Sequence, residues 1–330
     1  MLRVNGMGRA LRAAMTAATA AVAAWVVSAP VWAADQYPVR PVRMILGSAA
    51  GSGSDVVARV ISAKLSQHLG QQVVVDNRPG ASGLIAAEIV TKATPDGYTI
   101  WLPTLTQHLG TTLRNKFILQ NEFEPVGLVA TTPFLLVTNS SVPAKNTAEF
   151  IAYAKKNPGK LLHGSSGTAG SLHICVEVFQ NMAGLKMVHV PYKGSAAAIT
   201  DLIAGTIQLA CPPVAAMAPF MKHEKLRVLG VTSKDATPLA PGQPPISHAV
   251  PGYAFPGWYG VVVPLKTPKA IVDRLNREFT RTVNDPETRD RLIKVGVEPA
   301  ANSPAEFRAF LVSESLRMKK VMKEAGVSVK

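Results

Sequence analysis

MILGSAAGSGSD, residues Met44–Asp55, runs an apolar strand into a loop of glycine, serine and alanine that opens directly onto an amphipathic helix. A junction of this kind binds anions without a charged side chain. The first amides of a helix have no intrahelical partner, the helix dipole is positive at that end, and glycines let a ligand approach the backbone. A second junction of the same composition, HGSSGTAGS at His163–Ser171, precedes another amphipathic run. Two such junctions predict a molecule that grips a small anion between two lobes.

Outward from the first junction, short apolar runs alternate with longer amphipathic ones, the signature of an α/β protein with mainly parallel sheets. Val42–Leu46 reads as the first strand. Val57, Val60, Ile61, Leu65 and Leu69 follow at helical spacing, and Gly70 closes that helix. Gln72–Asp76 and Tyr98–Leu102 read as strands, separated by a helix through Ile85, Ile89 and Val90 and a turn at Pro95-Asp96-Gly97. A β-rich run, Val126–Val129 then Phe134–Val137, is broken by Thr131-Thr132-Pro133 and suits a segment passing from one domain to another. A second α/β unit follows, with helices at Thr147–Lys156, Leu172–Ala183 and Ala196–Ala204 and strands at Val188–Val190 and Ile207–Ala210. Ala236–Pro256, rich in proline and glycine, reads as a long surface connection. The strand Tyr259–Val263 and the helices Pro268–Asn284 and Pro304–Glu324 complete the chain.

The N-terminus carries Arg3, Arg9 and Arg12, then an uncharged run from Ala13 to Val27, then Val31-Trp32-Ala33 with small residues at the −3 and −1 positions. Residues 1–33 are therefore expected to be an export signal cleaved near Ala33, placing the remaining 297 residues in the periplasm. That length suffices for two α/β domains of ordinary size. The formal charge of +14 falls to +11 once the three signal arginines, unaccompanied by any acid, are removed. Export, few aromatics and the lack of a basic block interleaved with stacking residues argue against nucleic acid. The excess positive charge serves solubility or the steering of small anions.

Catalytic signatures are missing. No G-x-S-x-G elbow, Walker ending, complete G-x-G-x-x-G fingerprint or HExxH occurs. His173 and Glu177 share a helix face without a third ligand, so no metal site and no cofactor are expected. Cys175 and Cys211 are either one disulfide or two buried thiols, and their spacing does not decide.

Several marks recur in a fixed order: Tyr37-Pro38 with Pro41-Val42-Arg43, Asn77-Arg78-Pro79-Gly80-Ala81-Ser82-Gly83, Pro95-Asp96-Gly97-Tyr98-Thr99, Gly164-Ser165-Ser166-Gly167 with Ser171 and His173, His189-Val190-Pro191-Tyr192-Lys193-Gly194, Asp201-Leu202, and Trp258-Tyr259-Gly260 with Thr267-Pro268. Together they resemble the tripartite tricarboxylate transporter receptor family, also called the Bug family of periplasmic solute-binding proteins, over essentially all of the mature chain. The resemblance implies a type II periplasmic-binding-protein fold: two α/β domains, a ligand cleft between them and two crossover segments. The expected division is 34–132 with 251–330 as domain 1 and 133–250 as domain 2.

The resemblance also implies a carboxylate pincered by backbone amides and hydroxyls. Carried over onto this chain, the first loop supplies Ser48, Ala49, Ala50, Gly51, Ser52, Gly53, Ser54 and Asp55. The second supplies Ser165, Ser166, Gly167, Thr168, Gly170 and Ser171, with Thr104, Gln107 and Pro213 completing the expected ligand-binding set and no catalytic residue. Gly47-Ser48 stands where the family often has Pro-Phe, which predicts a roomier or wetter pocket there. Ala169 replaces a common glycine, and Cys211-Pro212 a position often acidic, which disfavours a ligand amino group. The expected function is capture of a small organic carboxylate by a monomer that delivers it to membrane permease subunits. A ligand-sensing subunit for a membrane kinase and an exported hydrolase are the alternatives.

Overall fold

The computed structural model describes residues 37–112 and 117–324; the expected export signal lies outside the described residues. All elements below belong to the compact unit that begins at Pro38. In chain order they are β1 (Val42–Leu46), α1 (Gly53–Leu69), β2 (Val73–Asn77), α2 (Leu84–Thr91), β3 (Thr99–Trp101), α3 (Leu105–Thr112), α4 (Leu119–Glu122), β4 (Phe123–Pro133), β5 (Leu135–Asn139), α5 (Thr147–Lys156), β6 (Leu162–Ser165), α6 (Ser171–Ala183), β7 (Val188–Pro191), α7 (Ser195–Ala204), β8 (Leu209–Ala210), α8 (Val214–Met217), β9 (Leu226–Val231), β10 (Pro256–Pro264), α9 (Lys269–Asn284), α10 (Pro286–Lys294), β11 (Glu298–Pro299) and α11 (Pro304–Glu324).

Two sheets make the two lobes. The first has the order β11-β4-β10-β3-β1-β2 and the second β7-β6-β8-β5-β9. Helices cover β1 on both faces, so it is apolar nearly throughout and pairs in parallel with β2 and β3. The sheets are more mixed than expected. β10 runs antiparallel to both β3 and β4, and β5 antiparallel to β8 and β9. Apart from the two-residue edge strand β11, the antiparallel members are β5 and β10, which enter each sheet from the other lobe and therefore run against the βαβ direction.

The first crossing differs from the sequence expectation. β4 continues through Thr131-Thr132-Pro133, because Thr131 and Thr132 pair with Trp258 and Gly257 of β10, and the chain changes sheet at Phe134. Thr232, fully buried, ties this crossing to the return. Its Oγ1 accepts from the Phe134 amide and donates to the Phe255 carbonyl, both at 2.8 Å, while its amide donates to Phe134 and its carbonyl accepts from Phe255. The Phe134 and Phe255 rings meet edge to face at 5.6 Å.

His163–Ser165, read as loop, pair in parallel with β7 and belong to β6; the turn itself spans 166–170. The helix α3, the edge strand β9 and the helix α10 were not anticipated. α3 is buried almost all round and β9 is short, so neither shows a clean period. Cys175 of α6 and Cys211 beyond β8 are joined by a disulfide, with Cα atoms 6.3 Å apart, which resolves the open alternative. No described helix is long and apolar enough to cross a membrane.

Candidate functional site

A cavity of about 280 Å³ lies between the sheets, and four helices of eight residues or more begin at its wall: α1, α3, α6 and α7. Each start is a strand running into small or hydroxylated residues. At the first, Ser52 caps α1 and accepts from the Asp55 amide, while Asp55 Oδ2 reaches back to the Gly51 amide at 3.0 Å. The caps thereby occupy the Asp55 and Gly51 amides, and those of Gly53 and Ser54 have no hydrogen-bond partner among the described residues. Ser54 Oγ bonds both Ser48 Oγ and Ser52 Oγ, a hydroxyl string along the cavity side of the turn.

Asp55 sits beside the cavity and not on it. It pairs with Arg59 at 3.0 Å, and although burial pushes its carboxyl up, the hydrogen bonds from Arg59, Gly51 and Asn77 hold it below the usual carboxylate range. Ala49, Ala50 and Gly51 also stand off the cavity. Gly51, at φ +75°, is needed for its backbone conformation.

The second turn is built differently. Ser165 is fully buried below it, takes the Gly167 amide at 3.1 Å and bonds His189 Nε2 at 2.6 Å. His173 Nδ1 accepts from the Ala169 amide at 3.2 Å, fixing Ala169 at φ 66°. That left-handed value explains why glycine suits the position. The rings of His163, His173 and His189 stack at 3.9–6.1 Å, and Glu177 Oε1 lies 3.3 Å from His163 Nε2 and 3.5 Å from His173 Nε2. Burial pushes His173 down to about 4 and, reinforced by the neighbouring rings, His189 to about 3. Burial raises the Glu177 carboxyl, but the polar groups of His163, Gln180 and His173 beside it bring it below its ordinary value. Among the described residues no cluster of histidine, cysteine and carboxylate is arranged to hold a metal ion.

Of the residues expected from the sequence, Ser48, Ser52, Gly53, Ser54, Thr104, Gln107, Ser166, Gly167, Thr168, Ser171 and Pro213 line the cavity. Ser165, Gly170 and Asp55 support the turns from behind, and Ala49, Ala50 and Gly51 lie off the cavity, the last two exposed. Gln107 is a brace as well as wall: its Oε1 takes the Thr104 amide and hydroxyl, and its Nε2 reaches the Gly47 carbonyl at 3.3 Å. A Cβ on Gly47 would meet Gln107 Cγ at 2.9 Å, so at Gly47 the space left by the missing proline is filled by Gln107 and is not open.

The expected ligand-binding set omits the turn after β7, where Lys193, read from the sequence as an anion partner or more commonly a solvated lysine, opens α7 onto the cavity with Gly194 and Ser195. The same strand, glycine-serine, helix pattern was there to be read. The set also omits the wall made by Thr132, Phe134 and Gly257–Tyr259, whose only signal was that the crossings pass close to the cleft. The lobes touch around the cavity. Ser82 Oγ donates to the Thr168 carbonyl at 2.7 Å and Thr106 Oγ1 bonds Ser171 Oγ, each joining the first lobe to the second.

This architecture matches that of known proteins. The family model described as the tripartite tricarboxylate transporter family receptor matches residues 57–327. The chain belongs to that family. It is 34% identical over 294 residues, 88% of each chain, to the UPF0065 protein of the tcbD-tcbE intergenic region of Pseudomonas sp. strain P51. Among solved structures it is similar to R. palustris Rpa4515 with adipate, at 34% identity and TM-score 0.83 over 88% of this chain and 99% of that one. It is also similar to MatC from Rhodopseudomonas palustris with bound malate, at 27% identity and TM-score 0.82 over 86% and 99%. Like these relatives, the receptor has a two-lobed α/β fold.

Proposed function

We propose that this receptor is the exported substrate-binding component of a tripartite tricarboxylate-type uptake system, capturing a small organic carboxylate as its two lobes close. One observation carries the reading: helix starts from both lobes, with unpartnered amides at Gly53 and Ser54, converge on a cavity among whose lining residues there is no carboxylate. Fixed amide dipoles in such a cavity favour a negative guest and leave a positive one without a counter-charge. The adipate and malate held by two relatives support the same ligand class. The lobe division expected from the sequence, cleavage after Ala33, a monomeric state and delivery to membrane permease subunits complete the proposal.

Trp258 lines the cavity, so its emission reports on occupancy. Tryptophan fluorescence and calorimetry against mono-, di- and tricarboxylates and aromatic acids are expected to find saturable one-to-one binding of at least one acid. An absence of carboxylate binding together with turnover of an ester or amide overturns the proposal in favour of a hydrolase.

A further inference from the structure

Two tyrosines line the cavity, and they are in opposite states. The Tyr192 hydroxyl donates to Asp201 Oδ2 at 2.7 Å and is spoken for. Tyr259 is 3% exposed, and its hydroxyl has no hydrogen-bond partner among the described residues. The oxygen keeps its small accessible area on the cavity side, so it is a donor that no protein group occupies and a guest in the cavity can reach.

The backbone fixes where that hydroxyl points. Tyr259 pairs with Ala130 of β4 on one side and bridges to Thr104 on the other, and the register of β10 shifts between Tyr259 and Gly260. Irregularities of this kind re-aim a side chain beside a site. The next residue, Gly260, is held to glycine by the Phe307 ring, into which a Cβ there would run. The aim is toward the start of α1: a Cβ built on Gly53 would lie 3.3 Å from Tyr259 Oη and 3.2 Å from Pro213 Cγ. The oxygen therefore sits over the same first turn whose Gly53 and Ser54 amides are unpartnered. Burial also raises its pKa, keeping it a donor at any ordinary pH.

We propose that Tyr259 is a specificity-determining residue whose hydroxyl donates to the ligand carboxylate seated on the α1 N-terminus, and that the cavity selects acids without an ammonium group. The second half follows from the lining. A donor from Tyr259 and the α1 amides occupy the anion end, and no lining side chain carries the negative charge that an ammonium would need. Lys193, the lining cation, is exposed at the rim and opposes a positive guest further. The inference rests on the carboxylate reading above and refines it.

The test is calorimetry on the mature chain and on Tyr259→Phe, using pairs that differ by an α-amino group: succinate and aspartate, glutarate and glutamate, adipate and 2-aminoadipate. The wild type is expected to bind the plain member of a pair at least tenfold more tightly than its amino partner. Tyr259→Phe is expected to lose at least tenfold for the plain acid, while the melting temperature of the ligand-free protein stays nearly the same, because the hydroxyl bonds no protein group. A structural tyrosine gives the reverse, a lower melting temperature and unchanged affinity. Wild-type binding with equal affinity in Tyr259→Phe overturns the role of the hydroxyl. Equal affinity for both members of a pair overturns the selection against ammonium. A wild type that binds no carboxylate sinks the parent proposal instead, and the two failures are thereby distinguishable.

Discussion

The two turns that face the cavity have the same composition and different foundations. The first, before α1, rests on neutral serine hydroxyls and a cap whose charge is settled by the Asp55–Arg59 pair. The second, before α6, rests on three stacked histidines, a glutamate and a helix stapled by a disulfide. The same amide geometry can thus be held by parts that ignore pH and redox state or by parts that respond to both.

The staple offers the strongest way to break this contrast. Closing a loop of 36 residues restricts the unfolded chain by about 4 kcal/mol in the entropic account. Cys175→Ala with Cys211→Ala is expected to lower the denaturant midpoint by a corresponding amount, with the loss centred on the second lobe in hydrogen exchange. Equal loss of protection in both lobes breaks the assignment.

Next in size is the cavity itself. Gly53→Val places methyl groups against Pro213 and the Tyr259 hydroxyl, and carboxylate affinity is expected to fall by about 100-fold, near 3 kcal/mol. Gly51→Ala meets no neighbour and suffers only its φ of +75°, a cost of about 1 kcal/mol in stability with affinity nearly unchanged. Calorimetry on both variants separates a glycine on the wall from a glycine behind it.

Acid should then distinguish the two foundations. His173 and His189 are held near 4 and 3 in the folded protein, below the ordinary histidine value, so the unfolded chain binds more protons as the pH drops below about 6.5. Stability is level above that point and declines from about 6.5 down to about 3, each ring contributing at most about 2 kcal/mol of the loss at pH 5 and less to the extent that solvent screens these partly exposed groups. His189→Gln is expected to flatten the profile measured by thermal melts, and an unaltered slope in that variant removes the histidine stack from the explanation.

The smallest effect is at the first turn. Ser52→Ala removes the α1 cap and is expected to lower stability by about 1 kcal/mol at any pH from 5 to 8. A pH-dependent loss would erase the contrast between the turns.

Much of this was open to reading before the coordinates. Val42–Leu46, Thr147–Lys156 and Pro304–Glu324 fall where the sequence puts them, the strand because it is a short, nearly continuous apolar run and the helices because each has a helical period and clear end signals. Both anion-facing turns were visible as small-residue junctions. What escaped was non-local. That Asp55 and Ser165 brace from behind while Tyr259 faces the guest depends on a register shift in a strand more than 200 residues from the first turn. No local pattern encodes it. The histidine stack likewise gathers His163 and His189 from adjacent parallel strands and His173 from the helix between them, a neighbourhood that appears only once the sheet order is set.

The bonds Ser82–Thr168 and Thr106–Ser171 cross from lobe to lobe around the cavity, far in sequence from the Thr232 knot. Neutral hydrogen bonds contribute about 1 kcal/mol each, so this pair of clasps favours the shut form by about 30-fold. A preference of that size is soft. A guest that bridges the two lobes with even modest affinity outweighs two contacts of that size.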